Sequence, residues 1–253
     1  REFVGRFVDV SKDIRLEVVD CAALIIKRKP SLRELVEKPL RERLRDVDAE
    51  VRQVALQRLV EIALDDPLKL SVATFIEMGA RVKDKRLEIR RGSLVGMTKI
   101  YSKHIASVLP PLNNLTESGN DLFASVQSSI VERLSHVPSL LINSWSYPDD
   151  STKHPILVLL QEYLLPRTAT AKSEVNVPLV GADPSKSSQS NNSTESPQEV
   201  DGCRASALYF MFAYLSDTEI GLLNSIMLHK ASIRKELLVF LAARAAAPTK
   251  QTN

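Results

Sequence analysis

Aromatic residues make up 5% of this 253-residue chain and glycine occurs only 8 times. A β-sandwich or barrel draws on aromatic strand faces and turn glycines throughout, so this scarcity argues against an all-β fold and for long helices. Cysteine is nearly absent: Cys21 and Cys203 are the only two. They supply neither a disulfide framework nor a zinc knuckle, and each is expected as a small buried hydrophobe in a reducing compartment. An excess of one charge sign is missing too, with 34 Lys and Arg against 31 Asp and Glu and a formal net charge of +3. Capture of nucleic acid by the whole chain is therefore a weak expectation, and only local patches can carry one. No apolar run reaches the ~18 residues of a membrane span, and no basic segment followed by an apolar one opens the chain. The expectation is a soluble intracellular protein with no membrane partner. The chain opens at Arg1 inside what reads as the end of a helix, which predicts a piece of something longer.

Signals for chemistry are equally sparse. His104, His136, His154 and His229 are far apart and lack partners at metal-ligand spacing, so each is expected at the surface or in a loop and no metal is predicted. Ser135-His136 with Asp149 or Asp150 lacks both a sharp nucleophile turn and a glycine-rich oxyanion loop. Gly92 and Gly96 stand four apart in a helical pattern without a phosphate-loop ending, and simply permit close helix packing. The sequence predicts no enzyme, no cofactor and no small-molecule substrate.

What the chain does contain is 44% apolar residues and one sentence repeated three times. In register the copies read Arg6, Asp9, Asp13, Ile14, Arg15; then Arg43, Asp46, Glu50, Val51, Arg52; then Arg81, Asp84, Glu88, Ile89, Arg90. Arg15 to Arg52 is a step of 37 residues and Arg52 to Arg90 one of 38. A period near 40 in a helical pattern marks a solenoid of helix pairs. The prediction is an all-α fold, a HEAT-repeat α-solenoid of armadillo-like helix pairs. Helical faces follow: Ile14, Val18, Ala22, Ile25 and Ile26, stopped by Pro30; Leu32, Leu35, Val36, Leu40 and Leu44, entered through a Ser31–Glu34 capping box and bent or interrupted near Pro39; Val51, Ala55, Leu59 and Ile62, capped by Asp48 and closed at Pro67; and Ile89, Ser93, Met97 and Ile100.

The repeated Asp sits at the turn between the helices of a pair. There it can cap the second helix, or reach the Arg of its own or the neighbouring repeat. Asp9, Arg15, Asp46, Arg52, Asp84 and Arg90 are therefore predicted to form an internal polar ladder, since charges present in every copy serve what every copy shares. Residues 27–45 carry eight Lys or Arg against three Glu, and residues 81–91 six against two acids. These are solvated helix ends, or a basic ridge for an acidic segment, a polyanion or DNA. Lys83, Lys85, Arg86 and Arg91 lack a basic counterpart in at least one other copy and are the candidate partner-binding residues. Beyond His104 the periodicity weakens, with a loop at Pro110-Pro111 and Asn113-Asn114 and helices near 119–135, 140–145 and 155–165. The organisation reads as helical repeats over 1–166, a Ser-, Asn- and Pro-rich disordered insertion over 167–200, and continuing helical repeats over 201–253, with helices near 203–215, 217–229 and 231–246.

Several stretches carry a resemblance to one family. Phe3-Val4-Gly5-Arg6-Phe7-Val8-Asp9 with Ile14-Arg15-Leu16-Glu17, Asp84-Lys85-Arg86-Leu87-Glu88-Ile89-Arg90-Arg91 leading to Leu94-Val95-Gly96-Met97, Gln161-Glu162-Tyr163-Leu164-Leu165-Pro166, and Ile233-Arg234-Lys235-Glu236-Leu237-Leu238 resemble the Pds (precocious dissociation of sisters) cohesion regulators. The resemblance covers most of the chain except 167–200. It implies a non-enzymatic HEAT-repeat scaffold in the nucleus. Such a scaffold binds the kleisin subunit of cohesin and the release factor Wapl, and meets chromatin mainly through cohesin. The alternatives left by the residues alone are a polyanion- or nucleic-acid-binding solenoid and a generic trafficking or import scaffold.

Overall fold

The computed structural model describes residues 2–108, 121–147, 152–164, 208 and 210–246. The loop expected at Pro110–Asn114, the insertion expected at 167–200, and Cys203 lie outside the described residues. The helices are α1 (Glu2–Gly5), α2 (Lys12–Arg28), α3 (Arg33–Glu42), α4 (Ala49–Asp65), α5 (Val72–Ala80), α6 (Leu87–Val108), α7 (Asp121–Leu134), α8 (Val137–Ser144), α9 (Lys153–Leu159), which runs on as a π-helical turn Leu160–Leu164, and α10 (Asp217–Ala246). No strand occurs among the described residues. The fold is an all-α solenoid of helix pairs.

Each pair is built by the same local rules. The first helix tightens into a 3-10 turn that opens on the repeat arginine, over Arg6–Val8, Arg43–Arg45 and Arg81–Lys83. The Asp three residues on donates its backbone N–H to that arginine's carbonyl, at 3.2, 3.1 and 3.0 Å, which satisfies one of the carbonyls a helix end leaves over. The second helix then starts, and in α4 the Asp48 carboxylate accepts the Glu50 N–H at 2.9 Å. It stops where proline comes due. Pro30 and Pro67 lack the N–H a helix interior requires and instead open short 3-10 turns after α2 and α4.

The second helices α2, α4 and α6 stack side by side, and α1, α3, α5 and α7 form the other layer. Between them lie Val18, Val19, Ala22 and Ile26 of α2, Val51, Ala55, Leu59 and Ile62 of α4, and Ile89, Ser93, Met97 and Ile100 of α6, all buried. Burying one such aliphatic side chain stabilises by roughly 1.5–3 kcal/mol. Gly96 lets α6 approach α4 closely: a Cβ there would stand 2.5 Å from Val60 Cγ2.

Several expectations differ from what is found. The Ser31–Glu34 capping box does not form, because the 3-10 turn Pro30–Leu32 occupies that place and α3 enters through Leu32 without a side-chain cap. Leu32 and Leu35 are exposed, and the buried face of α3 is Val36, Glu37 and Leu40. Pro39 does not interrupt α3. Ile14 is exposed, and so is Cys21. His136 is half-buried rather than superficial. The helices expected at 217–229 and 231–246 are one helix, α10, since no glycine or proline falls between Leu222 and Ala246 to break it. Its first part packs on α8, burying Leu223 and Ile226, while Ile233, Leu237, Leu238 and Phe240 are exposed.

Candidate functional site

The repeated Asp and Arg meet across the joint between repeats. Arg15 forks onto the Asp46 carboxylate, with Nε and Nη2 each donating at 3.0 Å. Arg52 does the same to Asp84 at 2.9 and 3.0 Å. Each arginine's remaining Nη1 turns back to the loop of its own repeat and donates to two carbonyls: Asp9 and Val10 at 2.8 and 3.2 Å, Asp46 and Val47 at 2.9 and 3.3 Å, and, from Arg90, Asp84 and Lys85 at 2.9 and 3.1 Å. The aspartate closes the turn as well, accepting the N–H two residues on, from Ser11, Asp48 and Arg86 at 2.9, 2.9 and 3.0 Å. Of the geometries open to the repeated Asp, the structure has the one that reaches the preceding repeat's Arg. The carboxylate closes an Asx turn ahead of the second helix and does not itself cap that helix.

Electrostatics follow from this packing. Burial pushes the Asp46 carboxyl up, but the Asp48 N–H and the Arg15 and Arg43 guanidiniums outweigh it, and the group titrates below its ordinary 3.8. Asp84 behaves alike, with burial opposed by Arg52 and the Arg86 N–H. Asp9 is also lowered, chiefly by the Ser11 N–H and then by Arg6.

The same bonds hold the turns in a row with their outer residues pointing into solvent. Val10 is 99% exposed and Val47 94%; the equivalent of both in the third turn is Lys85, also exposed. The residue before each Asp changes in the same sense, from Val8 through Arg45 to Lys83. Arg45 is paired with Glu77, whereas no carboxylate among the described residues pairs with Lys83, Lys85 or Arg86. Lys83 Nζ stands 5.4 Å from the centre of the Tyr147 ring. Lys83, Lys85, Arg86 and Arg91 are all exposed. No group of three or more metal-ligating side chains and no helix long and apolar enough to cross a membrane occurs among the described residues.

Comparison with known proteins bears on this array as a whole. A family model described as sister chromatid cohesion protein PDS5 matches residues 1–253. The chain belongs to the PDS5 family. The fission yeast (Schizosaccharomyces pombe) sister chromatid cohesion protein pds5 is 23% identical over 167 residues, which is 64% of this chain and 13% of that protein. The human PDS5 homolog B is 28% identical over 102 residues, 40% of this chain and 7% of the relative. The Dictyostelium discoideum PDS5 homolog is 22% identical over 175 residues, 69% of this chain and 11% of the relative. The chain thus spans less than a seventh of the length of these relatives. A solved Pds5–Scc1 complex contains a chain with the same fold, at a TM-score of 0.56 and 17% identity over 88% of this chain and 27% of that one.

Within this PDS5-family array, the contacts of several polar groups went unread in the sequence. Arg43 Nη1 donates to Asp46 at 2.9 Å and Arg81 Nη1 to the Leu44 carbonyl at 2.9 Å; both open a repeat copy, so position in the copy was the available signal. Glu37 is buried and its Oε1 accepts from the Ser71 N–H, the Ser71 hydroxyl and the Thr74 hydroxyl at 2.6, 2.6 and 2.7 Å. Ser216-x-x-Glu219 forms a capping box at the start of α10, with the Ser216 N–H on Glu219 Oε2 at 2.9 Å and the Glu219 N–H on Ser216 Oγ at 3.4 Å. That spacing was legible.

Proposed function

We infer that this chain is part of a non-enzymatic scaffold that regulates cohesin, and with it sister-chromatid cohesion in the nucleus, by binding the kleisin subunit. The observation that carries the reading is the match to the PDS5 family over residues 1–253; the likeness to the chain of a Pds5–Scc1 complex supports it. Wapl is a second partner in this reading, and chromatin is reached through cohesin. In it, Asp9, Arg15, Asp46, Arg52, Asp84 and Arg90 hold the repeats in register, while Lys83, Lys85, Arg86 and Arg91 offer contacts to a partner. The test is retention of purified kleisin, and separately of Wapl, by the longer parent protein at near-physiological salt. Failure to retain kleisin sinks the reading.

A second reading rests on one specific observation, the three cations of the third turn that no described carboxylate neutralises. They suit a polyanion or nucleic acid. Phosphate contacts lower log affinity by about 0.9 per contact for each tenfold rise in salt. A charge reversal of Lys83, Lys85 and Arg86 to Glu that leaves binding to duplex DNA and its salt slope unchanged removes it.

A further inference from the structure

One serine that the sequence marks is left without a task by the fold. Ser31 is the expected cap of α3, yet its hydroxyl caps neither the Pro30–Leu32 turn nor α3. Arg28 and Lys29 stand three and two residues before it, Pro30 directly before and Leu32 directly after. Only one other serine or threonine in the chain has Lys or Arg at both of those preceding positions: Ser93, behind Arg90 and Arg91 and again followed by a leucine. Two cations ahead of a hydroxyl and an aliphatic side chain behind it form the charge pattern that the acidic substrate groove of a basophilic protein kinase reads.

Both stretches match in letters, and the structure separates them. Ser93 lies inside α6, is fully buried and donates to the Met78 carbonyl at 2.6 Å, so reaching it means unwinding a core helix. Arg28, Lys29, Pro30, Ser31 and Leu32 are all exposed. Lys29 has already left the helix, at φ −133° and ψ 77°, and the turn after it buries none of its residues. Drawing this segment out straight gives up two turn bonds, from the Leu32 N–H to the Lys29 carbonyl and from the Arg33 N–H to the Pro30 carbonyl. It uncovers no core, so the opening stays local. Charge narrows the class of enzyme: residues 27–34 hold Lys27, Arg28, Lys29 and Arg33 against Glu34 alone, which an acidic groove attracts and a basic one repels.

We propose that Ser31 is a phosphorylation site for a basophilic protein kinase. Ser31 Oγ attacks the γ-phosphorus of Mg-bound ATP, the bond to the bridging oxygen breaks as ADP leaves, and the hydroxyl proton passes to the kinase's carboxylate base. Arg28 and Lys29 pair with carboxylates of the kinase, and Leu32 packs on its apolar wall. The phosphate adds a charge of about −1.5 to −2 among four cations. It stands just ahead of α3, whose start has no side-chain cap and where negative charge is favourable.

The experiment incubates the whole folded 253-residue chain with Mg-ATP and the catalytic subunit of cyclic-AMP-dependent protein kinase, the basophilic probe, and maps phosphate by mass spectrometry. Phosphate is expected on Ser31 and not on Ser93, while a synthetic peptide spanning Arg90–Val95 accepts it readily because the burial is gone. Arg28→Gln, a change at an exposed position, should lower kcat/KM at Ser31 about tenfold or more, the loss of one charge-assisted contact. Failure to modify Ser31 in the folded chain overturns the proposal. So does equal modification of Ser93 there, which shows that exposure does not select the site, and so does an unchanged rate in Arg28→Gln. The same mapping on the parent protein isolated from dividing cells should find a Ser31 phosphate that alkaline phosphatase removes. Ser31 unmodified throughout the cell cycle overturns the proposal even where the probe enzyme accepts it.

Discussion

Up to α6 the molecule repeats one device from joint to joint, a guanidinium fork onto the next repeat's buried aspartate, used at Arg15–Asp46 and again at Arg52–Asp84. From α7 onward the described joints are closed by unlike means. Arg133 donates to the Leu70 carbonyl at 2.8 Å, Glu219 gathers Ser139 and Asn143, and Trp145 meets His229 edge-on at 5.4 Å. The difference separates what the array needs everywhere from what is local. A device repeated from joint to joint fixes spacing, whereas a joint closed in its own way answers only to the side chains that meet there.

The sharpest way to break the comparison is to remove one fork. Arg52→Ala takes the fork from the Asp84 carboxylate, whose side chain is 3% exposed, leaves it Arg81 at 3.8 Å as its counter-charge, and releases two loop carbonyls. Removing one partner of a buried pair costs about 3–5 kcal/mol, so urea unfolding should show a loss of that size. Arg52→Lys keeps the charge without the fork and should fall between. Arg6→Ala, whose side chain is 62% exposed, should leave the midpoint nearly unmoved. An Arg52→Ala protein with unchanged stability would falsify the ladder.

Glycines sharpen the same contrast. Gly96→Ala drives a methyl into Val60, a β-branched side chain with little rotamer freedom, and should destabilise by about 1–3 kcal/mol through overpacking. Gly221 in α10 has nothing within 4 Å of its Cβ direction, so Gly221→Ala should gain about 0.4–1 kcal/mol from helix propensity alone. Thermal melts of the two variants should move in opposite directions.

Acid tests the ladder as a set. The folded pKa values of Asp46 and Asp84 lie below their ordinary 3.8. Their stabilisation is therefore complete above the unfolded value and is lost as pH falls through the depressed folded values. Melting temperature should decline as pH drops below about 4, and Asp46→Asn, less stable at neutral pH, should decline less steeply over that window. Parallel declines would place the acid sensitivity elsewhere.

How far the sequence could be read follows the same divide. The helix pairs and the ladder residues were legible because three copies state them, and a copy-to-copy offset needs no knowledge of the packing. The direction of the fork, from each Arg to the following repeat's Asp, was not, because register alone leaves both neighbours within reach. Ser31–Glu34 matched a capping box in letters, yet Pro30 at the head of a 3-10 turn took the position first. Single-copy features were the hardest: His136 and Gly79 come from segments 57 residues apart and meet only through the packing of α8 on the end of α5. Lys83 was legible as an odd basic residue, and its Tyr147 partner was not.

The smallest effect is expected from a pair that imitates the ladder in everything except burial. Lys12 reaches Glu50 at 2.7 Å across the same joint that Arg15 and Asp46 span, but the two side chains are 40% and 58% exposed. Each ion there keeps much of its hydration, so the attraction gained on folding is largely cancelled by the water contacts and side-chain freedom given up. Lys12→Ala and Glu50→Ala should leave the melting temperature unchanged within error, and what little effect they have should vanish in high salt. Were either variant to match Arg52→Ala, crossing the joint would be what stabilises. The burial that distinguishes Asp46 and Asp84 would then explain nothing.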